Sequence, residues 1–250
     1  KLCALQSLVQ EQLDQGHIEP SNSPWNAPVF VIKKKSGKWR LLHDLRQVNA
    51  VMESMGALKP GMPSPTMIPR EWDICVIDLK DWFFTILLHP DDALKFIFTV
   101  LTVNNQEPFL PQGMKNSPTI CQWYVALALS TVRKQFTNVY CYHYMDDILT
   151  AAPTKMHLQE VMPVLRQALE IYGLHIAPEK AQTLPLWKYL GVKILDHTIQ
   201  PQPIQINDEV KTLNDVQKLL GTINWLRPLL GITNSLLSSL FQLLKGDSDL

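Results

Sequence analysis

The 250-residue chain contains no run of about 18 apolar residues, so no membrane-spanning helix is expected. Only four cysteines occur, Cys3, Cys75, Cys121 and Cys141, and none sits at the paired spacing of zinc or dithiol motifs. They read as reduced thiols of a cytosolic-type compartment. Net charge is zero, which removes the bulk positive field of a typical nucleic-acid binder. No internal repeat or low-complexity segment is present, which excludes solenoid and fibrous architectures. Near the start, Leu2, Leu5, Val9 and Leu13 approach helical spacing, but Glu11 and Asp14 break any signal-peptide core, so secretion is not expected. Neither Asp-Thr-Gly nor Asp-Ser-Gly occurs, which disfavours an aspartic protease.

What is present is an ordinary globular composition, 46% hydrophobic and 18% charged, in a chain long enough for one or two well-buried units. Charge is unevenly placed. KKKSGKWR at 33–40 holds five of the 23 basic residues and no acid, which suits phosphate contacts or a lysine-solvated hairpin tip. APVFVIKKKSGKWRLLHDL reads as a hairpin, VFVI then WRLL, turning at Ser36-Gly37. LKPGMPSPTMIP at 58–69 is too proline-rich for a helix or inner strand and reads as a connection.

After it, WDICVIDLK is a strand whose alternation sets Ile74, Val76 and Asp78 on one face and Cys75 and Ile77 on the other. SPTICQWYVALALSTVRKQF suits a helix over 117–136, with Ser117 as N-cap and Pro118 at the first position. VYCYHYMDDILTAA makes a second hairpin, with Tyr140, Tyr142 and Tyr144 on one face and Cys141, His143 and Met145 on the other; His143 there reads as structural. Residues 154–174 are helical by spacing, with a kink expected at Pro163. WKYLGVKIL at 187–195 reads as one further strand, and a last helix begins near Asn214 with Val216, Leu219, Leu220, Ile223 and Leu226 as its core stripe.

Two strands thus deliver carboxylates: Asp78 from one, and the adjacent Asp146 and Asp147 from the other. Asp is depleted in strands and adjacent like charges repel, so the pair belongs either to a polar turn or to a metal site. Magnesium takes hard oxygen ligands, and two such ions on a few Asp residues are the recurring device of nucleotidyl transfer. Spacing alone leaves both readings open.

YMDD, LPQGMKNSPTICQ, SPWNAPVFVIKKKSGKWRLLHDLRQVN, DLKDWFFTILL, YLG and LNDVQKLLGTINWLRP occur together and in the order of retroviral reverse transcriptases, and the chain resembles that family, closest to betaretroviruses and endogenous elements derived from them. The resemblance covers nearly the whole chain. It implies an α/β (α+β) right-hand polymerase: an antiparallel palm sheet on helices, β-rich fingers and a helical start of the thumb. The implied division is fingers 1–53 and 86–116, palm 54–85 and 117–196, and partial thumb 197–250. No connection or ribonuclease H region is expected, and the chain reads as a segment of a longer polyprotein.

The implied function is RNA-directed DNA polymerization, with two Mg2+ ions on Asp78, Asp146 and Asp147. Lys34 and Arg40 match residues that contact the incoming triphosphate, a point charge and a fork respectively. Phe83 matches the aromatic gate against a ribose 2′-hydroxyl; simple core packing is its alternative. Gln112 matches a residue beside the nucleotide and Met145 one that packs against the primer end. Tyr144 falls beside the catalytic pair, and Leu190 and Gly191 fall in the primer grip. Gln217, Gly221 and Trp225 lie four apart and share one helical stripe, where a mid-helix Gly, costing about 1 kcal/mol against Ala, wants a reason. The family's stripe tracks the template-primer duplex; close helix packing is the alternative. Implied partners are an RNA or DNA template with primer, a deoxynucleoside triphosphate and a second polymerase subunit, with no membrane; the implied location is cytoplasmic or virion-associated.

The chain departs from the family pattern in places. Between the Asn104-Asn105-x-x-Pro108 turn and Leu110 it is shorter by roughly seven residues, about one strand. This is expected to leave KFIFTVLTV partly unpaired and to displace Gln112. Trp82 replaces a small residue beside the gate, and Leu87 replaces a proline. These changes frame the rival expectations: a catalytically inactive endogenous-retroviral relic that grips template-primer without synthesis, or a marginally folded remnant acting as a partner subunit.

Overall fold

The computed structural model describes all residues except 35–36, 57–64, 101–102, 196–197, 203–209 and 245–250, and leaves out the side chains of residues 201, 225, 226 and 228–230. In chain order the elements are α1 (Leu2–Asp14), β1 (Glu19–Pro20), β2 (Val29–Lys33), β3 (Trp39–His43), α2 (Arg46–Val51), β4 (Asp73–Lys80), α3 (Pro90–Ala93), β5 (Ile97–Val100) and β6 (Val103–Gln106). There follow α4 (Ser117–Gln135), β7 (Tyr140–Tyr144), β8 (Asp147–Ala152), α5 (Lys155–Ile171), β9 (His175–Ile176), β10 (Trp187–Tyr189), β11 (Val192–Ile194), β12 (Ile199–Pro201), α6 (Leu213–Leu230) and α7 (Ser238–Leu243).

The central sheet runs β7-β8-β4-β9, every pair antiparallel. Its two faces bury different residues, as period-two alternation requires. Cys75, Ile77, Leu79, Cys141 and Ile148 face α4 and α5, where Val125, Leu129, Leu165 and Leu169 close the core. Ile74, Val76, Leu149 and Ala151 face the β10-β11-β12 sheet through Trp187 and Tyr189. Burying each such side chain is worth about 1.5–3 kcal/mol, enough to fix the register of strands that carry charge at one end. A third cluster, Val9, Ile18, Phe98 and Val100, joins α1 to the β1-β6-β5 sheet and to the β2–β3 hairpin.

Several expectations need correction. KFIFTVLTV is not left unpaired. It folds into its own hairpin, Ile97–Val100 against Val103–Gln106, and Asn104 and Asn105 lie in β6 rather than in a turn. The free edge of β5 is met by Ala27, whose N–H donates to the Ile97 carbonyl at 2.7 Å. WKYLGVKIL is two strands, β10 and β11, because Leu190 (φ 46°) and Gly191 (φ 75°) both turn left-handed, the requirement of a tight hairpin turn. Asn116, not Ser117, is the N-cap of α4, without a side-chain bond; the Ser117 hydroxyl donates to the Pro111 carbonyl. α5 continues through Pro163, an exposed position. Ser36 of the first turn, Lys35 of the basic patch and most of the proline stretch lie outside the described residues.

Candidate active site

The β7–β8 hairpin and β4 bring the carboxylates to one end of the sheet. Tyr144 pairs with Asp147, and Asp147 in turn stands opposite Asp78 across the β4–β8 ladder. The turn residues are Met145 and Asp146, and the Asp146 carbonyl accepts the Leu79 N–H at 2.8 Å, which ties the turn to β4. Asp78 ends an otherwise buried strand face, so its carboxylate emerges where the sheet meets solvent.

Three carboxylates meet at this end with one lysine, Lys180, paired to Asp78. Burial first, then the charges of Asp146 and Asp78, push the Asp147 carboxyl up to about 6. Asp146 is also raised, chiefly by burial. Lys180, in the short 3-10 turn Pro178–Lys180, donates to Asp78 at 2.6 Å, and that hydrogen bond raises its ammonium pKa. Spacing did not single out Lys180, which lies 102 residues from its partner. Among the described residues no group of three or more His, Cys, Asp or Glu side chains converges as a metal cage. The donor chemistry nevertheless suits a hard divalent cation: three carboxylates, two of them held at raised pKa chiefly by burial and then by one another's charge.

Two recesses flank the turn. A cleft of about 960 Å3 collects Lys34, Arg40, Phe83, Gln112, Asp146 and Lys180 on its walls, with α1 opposite. Arg40 donates to Gln112 Oε1 at 3.0 Å, and both lie on the cleft wall. The segment before Gln112 is strapped on its other side by bonds from the Leu88 N–H to Pro108 and from the Leu110 N–H to Ile86. Phe83 is half-buried and packs obliquely on Trp82, with ring centroids 4.9 Å apart; the Trp82 indole is itself only 6% exposed. The second recess, about 340 Å3, is lined by Tyr144, Met145, Asp146, Asp147, Leu190 and Gly191 among others.

Gln217 and Gly221 are exposed on α6 and line neither recess, and of Trp225 only the helical backbone is described. A Cβ at Gly221 would meet nothing within 4 Å, so packing within this chain does not explain the glycine. His143 is structural. Its Nε2 donates to the Gln122 carbonyl at 3.0 Å and its Nδ1 accepts from Arg133 at 2.8 Å, while burial lowers its pKa to about 4.

An antiparallel sheet packed on helices, with carboxylates at one end beside a cleft lined by charges of both signs, agrees with a polymerase-type fold, and sequence comparison gives the family. Residues 32–194 match the family described as reverse transcriptase (RNA-dependent DNA polymerase), and residues 201–250 match the reverse transcriptase thumb domain. The chain belongs to the reverse transcriptase family. It is 53% identical to the Gag-Pro-Pol polyprotein of mouse mammary tumor virus (strain BR6) and 54% identical to that of Mason-Pfizer monkey virus, over all of this chain and 15% and 14% of those polyproteins. The Gag-Pro-Pol polyprotein of sheep pulmonary adenomatosis virus is 53% identical over the same span, 15% of its length. The chain therefore spans about 15% of the length of these relatives. Each alignment occupies 257 positions against 250 residues here, so at least seven positions of the relatives have no counterpart.

Proposed function

We propose that this chain is the fingers, palm and beginning of the thumb of an RNA-directed DNA polymerase, extending a primer 3′-hydroxyl with deoxynucleoside triphosphates on an RNA or DNA template. The observation that carries the reading is the meeting of Lys34, Arg40, Phe83, Gln112 and Asp146 on one cleft, drawn from four separate stretches of chain. The proposed division is fingers 1–53 and 86–116, palm 54–85 and 117–196, and thumb from 197.

In this reading the primer oxygen attacks the α-phosphorus, the bond to the bridging oxygen of pyrophosphate breaks, and the hydroxyl proton passes to solvent or a nearby base. Asp78, Asp146 and Asp147 would hold two Mg2+ ions, which when bound neutralise charge on the attacking and leaving oxygens. Arg40 and Lys34 bind the triphosphate, and Arg40 is already oriented by Gln112. Phe83 closes the cleft where a 2′-hydroxyl would sit. Met145, Tyr144, Leu190 and Gly191 cradle the primer end, and Gln217, Gly221 and Trp225 follow the duplex, where the bare backbone at Gly221 permits close approach. A second polymerase subunit and a virion-associated or cytoplasmic setting go with the same reading.

Primer extension on an RNA template with deoxynucleotides and magnesium, parent beside Asp146→Asn, tests it. Synthesis by the parent alone is expected. Duplex binding by both without synthesis by either would replace the polymerase with a binder.

A further inference from the structure

Helix α4 lines neither recess but bonds to segments that line both. At its start Ser117 is wholly buried, and its hydroxyl donates at 2.7 Å to the carbonyl of Pro111, the residue before Gln112. Five residues on, Gln122 is 6% exposed and sends its amide to the tip of the β7–β8 hairpin. Its Oε1 accepts the Met145 N–H at 2.8 Å, and its Nε2 donates to the His143 carbonyl at 3.3 Å.

The same turn of helix is braced from below. A carbonyl only accepts, so His143 Nε2, 3.0 Å from the Gln122 carbonyl, carries the ring proton, and Nδ1 is left to accept from Arg133. Arg133 also donates twice to the Cys141 carbonyl, at 2.9 and 2.8 Å. Residues 141, 143 and 145 are thus each fastened to α4 by polar contacts.

Met145 is what makes this fastening consequential. It sits left-handed at φ 56°, a conformation that costs a non-glycine residue about 1–2 kcal/mol, and its N–H is turned inward to a partner in the protein. Losing that partner would leave a partly buried donor unmet, a penalty of similar size. The turn would then relax, and Asp146 and Asp147 would move with it.

Resting on the polymerase reading above, we infer that Gln122 is a positioning residue for the catalytic turn. It holds Met145 left-handed and so sets the height at which Asp146 and Asp147 are presented. Because Ser117 on the same helix holds the segment that carries Gln112, α4 fixes the spacing between the nucleotide side of the cleft and the carboxylates. Gln122 itself lines neither recess and touches no reactant.

The test uses Gln122→Met, which matches the length and removes both amide contacts, with Gln122→Asn as a second variant that stays polar but falls short. Amide hydrogen exchange at Met145 is measured in the folded protein, alongside kcat and KM for the deoxynucleotide. We expect exchange at Met145 to accelerate by at least tenfold in both variants, and kcat to fall by roughly tenfold to a hundredfold with KM changed less than about twofold. Unchanged exchange at Met145, or a loss confined to KM, overturns the inference. So does loss of cooperative melting in both variants, which would make the amide part of the folding core. A parent that extends no primer would sink the polymerase reading, while the exchange measurement would still decide whether Gln122 holds the turn.

Discussion

At the scale of single residues, Phe83 and His143 show how environment assigns roles. Phe83 presents one edge to the cleft and the rest of its ring to Trp82. Phe83→Ala is expected to keep the fold, at a cost of about 2 kcal/mol for the lost half-buried ring, and to relax discrimination against ribonucleotides by at least tenfold. Comparing kcat/KM for deoxy- and ribonucleoside triphosphates checks this; unchanged discrimination would leave Phe83 a packing residue. His143 gives a pH dependence. Its imidazole stays neutral in the fold down to about pH 4, whereas the unfolded chain protonates near 6.5. The unfolded state therefore binds the extra proton across that window, so its contribution to stability is complete above 6.5 and is lost as pH falls towards 4. His143→Gln should flatten the acid side of the stability curve by on the order of 2 kcal/mol, read from denaturant midpoints at successive pH. The placement of Asp78, Asp146 and Asp147 at strand ends was legible from residues alone because charge at the end of an apolar strand is conspicuous, whereas their role was left open between a polar turn and a metal site. Lys180 was not legible, since an exposed lysine in a Pro-Glu-Lys turn looks like any solvated one until the fold carries it to Asp78.

At the scale of elements, alternation was readable, while the cap of α4 and the turn at 190–191 were not. The β2–β3 and β7–β8 hairpins, α4 and α6 appear where periodicity puts them. The break within residues 187–195 was hidden because Leu190 is a poor turn former, yet it adopts φ 46°. Leu190→Gly is accordingly expected to be neutral or stabilising by up to about 1 kcal/mol in a thermal melt, relief of left-handed strain offsetting lost packing. A clear fall in melting temperature would show that the Leu190 side chain, packed beside Tyr189 and Trp187, outweighs the strain. The KFIFTVLTV segment was misread for a related reason: its partner, Val103–Gln106, extends beyond the segment into Asn104 and Asn105, residues that read as a turn. α6 opens on a reciprocal Thr212–Asp215 capping box, and α5 on a Thr154 side-chain cap.

At the scale of the whole molecule, zero net charge coexists with a local field. Lys34, Lys38 and Arg40 line the cleft that Asp146 also lines. Binding to a template-primer duplex is expected to weaken with salt, and Lys38→Ala to lower the slope of log K against log salt by about one, as for one lost phosphate contact. A slope that does not change would place the duplex elsewhere. Residues 107–112 are strapped between β3 and residues 86–88 by Arg40–Gln112, Leu88–Pro108 and Ile86–Leu110 bonds.

The four free thiols divide sharply: Cys75, Cys121 and Cys141 are buried, with burial pushing Cys121 up to about 12, while Cys3 is exposed on the α1 wall of the cleft. Alkylating reagents attack thiolates within reach, so a maleimide dye should settle on one sulfur without any engineered cysteine. The molecule carries its own attachment point for a reporter, placed where an arriving nucleic acid or nucleotide would change the brightness of the label.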